Sequence, residues 1–158
     1  MKIKTGIGQD SHSFDLENDK VCKIAGITFE DSKGLKGNSD SDVVLHAIVN
    51  ALTGIHGKIV LGPITDKMCK AGETDSERYV QKALEFMNGF QISNISISIE
   101  CLKPKIIPKV EAMKEKIARI VDISVDDVSI TATTGEGLTD FGKGLGIQAF
   151  VSITATKE

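Results

Sequence analysis

The sequence predicts a two-layer α+β domain, a β-sheet with helices packed on one of its faces. Five short stretches alternate apolar and polar residues with period two, and three longer ones carry apolar stripes at helical spacing. At 158 residues, with 41% hydrophobic and 26% charged side chains, the chain can bury a core and is read as one domain, 1–158.

Strand signals lie near Lys2–Gln9 and Val21–Phe29, then at Asn94–Cys101, Val128–Thr134 and Gly146–Thr154. In the third, Ile95, Ile97 and Ile99 alternate with Ser96, Ser98 and Glu100; in the last, Ile147, Ala149, Val151 and Ile153 share a face. Helix signals cover about Ser39–Thr53, Asp75–Asn88 and Pro108–Val121, with starts at Ser39 with Asp42, at Thr74 with Glu77, and at Pro108. Val80, Leu84 and Met87 form one core stripe, and Met113, Ile117 and Val121 another. The hydroxyl-rich sheet face, Ser96, Ser98 and Glu100 with Ser129 and Thr131, is either solvated or a subunit interface. Residues Gly57 to Gly72 have no clean period, so this segment is a functional lid or conceals a short helix.

A formal charge of −3 argues against a broad nucleic-acid surface. No apolar stretch is long enough to span a bilayer, and Met1-Lys-Ile-Lys-Thr5 lacks a signal-peptide core. The three cysteines, Cys22, Cys69 and Cys101, are odd in number and lack C-x-x-C spacing, so they read as reduced thiols in a cytoplasmic protein.

Two clusters carry chemistry. Asp10 and His12 alternate on one strand face, and His46 lies in a predicted helix; together they offer three ligands that suit a zinc-type ion with one position open. Asp42, His46 and Asn50 are spaced to share a helical face, where a metal, a ligand or an ordinary side-chain network would satisfy them. The second cluster is Thr131 to Gly146, where hydroxyls, Glu136, Lys143 and five glycines follow a strand. Its backbone amides are either an anion nest or only a wide hairpin loop, and there is no P-loop. Lys103-Pro-Lys-Ile-Ile-Pro108 is a turn whose backbone could read the edge of a base.

In order, Gly8-Gln-Asp-Ser-His12, Ser39 to Ala47, Asp75-Ser76, Pro104-Lys105 with Pro108, Ala132-Thr-Thr-Gly-Glu136 and Gly142-Lys-Gly-Leu-Gly-Ile147 span nearly the whole chain. In these motifs the chain resembles the 2-C-methyl-D-erythritol 2,4-cyclodiphosphate synthase family of non-mevalonate isoprenoid synthesis. The resemblance implies a mixed β-sheet with helices on one face, a homotrimer, and active sites between neighbouring subunits. It implies zinc on Asp10, His12 and His46, and a second divalent ion, magnesium, held with Glu136. The implied substrate is a cytidine diphosphate, 4-diphosphocytidyl-2-C-methyl-D-erythritol 2-phosphate, cyclised with release of CMP. Its cytosine would sit on Cys101, Leu102, Lys103, Pro104, Lys105, Ile106 and Ile107. Ser11, Ser39, Thr133, Thr134, Gly135 and Lys143 would contact the rest, with Asn38 and Thr134 in the catalytic positions.

The chain departs from the family pattern at several points. Asn38 stands where His is usual, Asn50 where Asp is usual, Lys58 in place of a lid Asp, and Lys143 in place of Arg. Asp140 occupies the place of a Phe that is displaced to Phe141. Two other functions stay open from the residues alone. One is a zinc phosphoester or diphosphate hydrolase, for which Asp42 is the nearby base. The other is a non-catalytic binder of cytidine nucleotide or isoprenoid phosphate.

Overall fold

Glycine at alternate positions of the first strand sets how the layers meet. In the computed structural model, which describes residues 1–158, β1 (Lys2–Ser13) runs directly beneath α1 (Val43–His56). A Cβ on Gly8 would fall 1.9 Å from the Ala47 carbonyl oxygen, and one on Gly6 2.0 Å from that of Ala51. Only bare backbone lets the helix lie this close, and Ala47 and Ala51 keep its facing side equally thin. Lys4 Nζ donates to the Ile55 carbonyl at 2.6 Å, and Asn50 Nδ2 to the Gln9 carbonyl at 3.0 Å, pinning the same contact.

The main sheet has the order β1, β6 (Gly146–Lys157), β4 (Gln91–Glu100), β5 (Val128–Thr133). β6 is antiparallel to both neighbours, whereas β4 and β5 are parallel, so the sheet is mixed. The parallel pair needs a crossover, which α4 (Val110–Val121) supplies. α3 (Ser76–Leu84) packs between α1 and α4. Ile95, Ile97, Ile99, Ile147, Ala149, Val151 and Ile153 are all buried against these helices. The other face is open, with Ile7 75% and Phe150 41% exposed among Thr5, Ser96, Ser98, Ser129 and Thr131. No helix is long and apolar enough to cross a membrane.

Three expectations are corrected, and of the two readings left open for residues 57–72 the short helix is found. Val21–Phe29 is not one strand; left-handed Ala25 and Gly26 (φ +55° and +74°) fold it into a hairpin of β2 (Val21–Ile24) and β3 (Ile27–Lys33), a separate two-stranded sheet. The first helix starts at Val43, not Ser39, because Asp42 is its N-cap and accepts from the Leu45 amide. The next is capped by Asp75, not Thr74, and ends at Leu84, not near Asn88: positive φ at Asn88 and Gly89 turns the chain into β4. The aperiodic 57–72 segment contains α2 (Pro63–Lys70), begun by a proline where no amide is needed.

Candidate metal centre

β1 continues to Ser13, so Asp10 and His12 are strand residues in register with Ala149 and Ile147 and face the helical layer. The close crossing at Gly8 puts the first turn of α1 over them, and His46 precedes Ala47 there. The result is convergence. His12 Nε2 lies 2.8 Å and His46 Nδ1 3.3 Å from Asp10 Oδ2, and the two nitrogens are 3.4 Å apart. His46 is buried, and the other two are half-buried.

The outer nitrogens decide what the inner ones present. His12 Nδ1 donates to the Lys36 carbonyl at 2.9 Å, which leaves Nε2 a bare acceptor. His46 Nε2 donates to Ser76 Oγ at 2.8 Å, because the Ser76 hydroxyl itself donates to Asp40 Oδ1. That leaves Nδ1 bare as well. Asp10 Oδ2 is buried without a hydrogen-bond partner. Three acceptor atoms therefore crowd one point with no donor among them. Such an orphaned cluster needs a positive charge at its centre.

With no metal bound, a proton on an inner imidazole nitrogen can supply that positive charge, and the titration shifts are those of this protonated form. Burial pushes the Asp10 carboxyl up, but hydrogen bonding and charge from His12 and His46 outweigh it and hold the group below its ordinary value. Burial pulls His12 down, yet Asp10 more than offsets this and raises it. A carboxylate, two imidazole nitrogens and an open side fit a divalent transition metal, so the residues present match the group.

A cavity of about 230 Å³ opens beside the cluster, lined by Asn38 and Ser39 and, from the 57–72 segment, Leu61, Gly62, Thr65 and Asp66. Lys58 is turned away, its ammonium 4.6 Å over the Phe86 ring. The expected stripe of Asp42, His46 and Asn50 is not a stripe of ligands. Asp42 is fully buried, accepting from the amides of Ala25 (2.8 Å), Gly26 (2.6 Å) and Leu45 (3.0 Å). Burial raises its carboxyl against the pull of those amides. Asn50 is committed to Gln9, so only His46 of the three faces the cluster.

The second set of residues meets elsewhere. The Cys101 amide donates to the Thr133 carbonyl and the Leu102 amide to that of Phe141, both at 3.1 Å, bringing residues 101–107 against the 133–145 loop. Clefts of about 450 and 430 Å³ flank this junction, one beside Pro104 and Lys105, the other beside Lys143, both against Leu102 and Lys103. Much of the loop is closed on itself. The amides of Gly135, Glu136, Leu138, Gly142, Lys143, Gly144 and Leu145 are bonded within it. Thr133 and Thr134 accept two of those amides, so their own hydroxyl hydrogens remain to donate. Glu136 is exposed at φ +53° and takes no part in the Asp10, His12, His46 cluster. In the strand register Ser11, Gln148, Glu100 and Thr133 form one row across the sheet. Three strand spacings of about 4.8 Å put the two sets roughly 14 Å apart in one chain.

Ser76 and Asp40 were visible in the sequence only as motif matches with no role attached. The signal that would have assigned one is a hydroxyl at a helix start following a Ser-Asp-x-Asp turn, two groups able to share a proton with a histidine. The cavity-lining side chains Thr65 and Asp66 carried no periodic signal.

The YgbB family profile matches residues 3–156. The chain belongs to the YgbB family. A 2-C-methyl-D-erythritol 2,4-cyclodiphosphate synthase of Chlamydia muridarum is 47% identical over 154 residues, 96% of this chain and 86% of the relative. The Chlamydia caviae protein of that name is 44% identical over 157 residues, 98% and 89% of the two chains. The bifunctional IspDF of Campylobacter jejuni superposes with a TM-score of 0.90 at 28% identity, over 99% of this chain, which spans 43% of that longer one. IspF of Plasmodium falciparum, described as a CDP complex, gives a TM-score of 0.85 at 23% identity, over 99% of this chain and 97% of its own. That last likeness concerns the fold alone.

Proposed function

We propose that this YgbB-family chain, as a single domain spanning 1–158, cyclises 4-diphosphocytidyl-2-C-methyl-D-erythritol 2-phosphate to 2-C-methyl-D-erythritol 2,4-cyclodiphosphate and CMP. The single observation that carries the reading is the convergence of Asp10, His12 and His46 with bare acceptor atoms turned inward. In the reaction an oxygen of the 2-phosphate forms a bond to the β-phosphorus. The bond from that phosphorus to the bridging oxygen breaks, and CMP leaves with the electron pair. No water is consumed.

Two anionic groups must be brought in line, so placement and neutralisation of charge are the main tasks. Asp10, His12 and His46 would hold zinc, and Glu136 a magnesium ion. When bound, these metals supply Lewis acidity to the phosphoryl oxygens and a template for the two phosphates. Thr133 and Thr134 offer hydroxyl donors to phosphate, and Lys103, Lys105 and Lys143 offer charge. Asn38, on the wall of the metal cavity, donates through its amide without adding charge. The backbone of Cys101 to Ile107 forms the cytosine edge reader. The lid helix beside the cavity limits water at the reacting phosphorus, which keeps ring closure ahead of hydrolysis.

The same reading makes the protein a cytoplasmic homotrimer. Separation of the two residue sets by roughly three strand spacings supports a site shared between copies, one giving the metal cluster and its neighbour the 101–107 and 133–136 segments. The open sheet face of small hydroxyls with Ile7 and Phe150 supports close packing of sheets around a common axis. The three free thiols support a reducing compartment.

Phosphorus spectroscopy of protein loaded with zinc and magnesium and given the diphosphocytidyl substrate tests the function. A cyclic diphosphate plus CMP is expected. Open-chain phosphates would instead make the protein a hydrolase. Asp42, the base first considered for that role, is spent on three amides, and Asp66 at the cavity rim would take its place. Absence of turnover with bound nucleotide would make it a binder.

A further inference from the structure

We propose that Ser76, tied to Asp40, is a positioning residue that keeps the proton of His46 on its outer nitrogen and so presents a bare Nδ1 to the metal. The proposal rests on the metal-centre reading above and gives it a device that can be removed by mutation. The two ligand histidines are held differently. His12 is fixed by a backbone carbonyl, which no substitution deletes. His46 is fixed by a fully buried side chain, Ser76, on another helix.

Counting protons gives the direction. Ser76 has one hydroxyl hydrogen and two polar neighbours, the Asp40 carboxylate and His46 Nε2. A carboxylate only accepts, so the hydroxyl hydrogen goes to Asp40 and the Ser76 oxygen accepts from Nε2–H. Asp40 cannot swing away, because its oxygens also accept from the amides of Asp42 (3.1 Å) and Ser76 (3.0 Å). The Asp40 amide in turn donates to the Thr74 carbonyl at 2.9 Å, joining the 39–42 turn to the start of α3. Ser39 Oγ, at 3.4 Å from Nε2, is a longer contact and already accepts from the Ser41 amide at 3.0 Å.

The opposing pull is Asp10. Its Oδ2 lies 3.3 Å from Nδ1 and draws the imidazole proton to the inner side, where it would occupy the place of the metal. Ser76 resists that exchange. Partners of this kind behind metal-bound histidines change metal affinity by about 10–100-fold.

Ser76→Ala removes only the hydroxyl. The Ser76 amide keeps Asp40, and the α3 cap is unaffected, since Asp75 accepts from the Glu77 amide at 2.9 Å. The test has two arms at pH 8. In metal-free protein, long-range 1H–15N spectra are expected to show His46 protonated on Nε2 in wild type and a substantial Nδ1–H population in Ser76→Ala. In chelator competition, the variant is expected to bind zinc about 10–100-fold more weakly, with the melting midpoint of its metal-free form close to wild type. A wild-type spectrum with His46 protonated on Nδ1 overturns the proposal whether or not the variant folds. So does a variant with unchanged tautomer, or one with zinc affinity within twofold of wild type. Failure of wild type to bind zinc would overturn the metal-centre reading instead, while the tautomer measurement still judges the relay by itself.

Discussion

The metal cluster and the 101–107/133–145 junction are the two chemically dense regions of this chain, and they are finished to different degrees. In the first, both inward-facing imidazole nitrogens have their orientation set by a partner on the outside: Lys36 behind His12, and Ser76 and Asp40 behind His46. In the second, Thr133, Thr134, Glu136 and Lys143 are exposed, and seven of the loop's amides are spent on its own turns. Ligands to a point charge are held in place by the hydrogen bonds behind them, and for the two histidines here those bonds come from the same chain. A surface completed by a second copy gains its enclosure there, and alone it looks unfinished. The difference is what a site divided between subunits, as proposed above, would leave on each of them.

Breaking the finished half is expected to have the largest effect. His46→Ala should lose zinc by elemental analysis and lower turnover by about 10³-fold or more, since metal ions stabilise charge by several kcal/mol. Full zinc retention in this variant would remove His46 from the ligands. Gly8→Ala attacks the same half through the fold: its Cβ would meet the Ala47 carbonyl, so α1 must lift from β1 and carry His46 away from Asp10. A stability loss of about 1–3 kcal/mol by denaturant unfolding is expected, together with weaker metal binding.

The open half should respond more gently. Lys143 pairs only loosely with Asp140, at 4.0 Å, and its side chain is 58% exposed. Lys143→Ala is expected to raise KM about tenfold with little change in stability, and Lys143→Arg to lower KM by restoring a forked donor for phosphate. Equal effects on melting and KM would instead make Lys143 structural.

The smallest effect is confined to alkaline solution. Burial, with Cys22 and Glu100 nearby, pushes the Cys101 thiol up from 9.0 to about 11. The folded value lies above the unfolded one, so the neutral thiol's contribution is whole below pH 9 and fades as pH rises towards 11. Denaturation midpoints measured across that window should fall more steeply for wild type than for Cys101→Ala; parallel curves would count against the shift.

Much of this was legible in the sequence. Alternation in Asn94–Cys101 and Gly146–Thr154 marked two central strands, because both bury one face only. The D-x-H pair was legible for the same reason, as period two on a strand puts both side chains on one side. The wiring behind the metal ligands was not legible. Asp42 looked like part of a polar stripe because spacing alone cannot separate a helix cap from a first-turn residue. Ser76 lies thirty positions from the histidine it contacts. The hairpin was hidden because a strand pattern ran through Ala25-Gly26, and only left-handed φ at both residues breaks it.

Activity in mixed oligomers tests the division of the site most directly. Two inactive variants, His46→Ala in one half and Glu136→Gln in the other, are co-expressed with different tags and isolated as mixed assemblies. Shared sites predict recovery of roughly a third of wild-type turnover, because every mixed trimer has one interface of its three at which an intact metal half meets an intact neighbour. Mixed assemblies no more active than the two variants alone would contradict it and return both halves to a single chain.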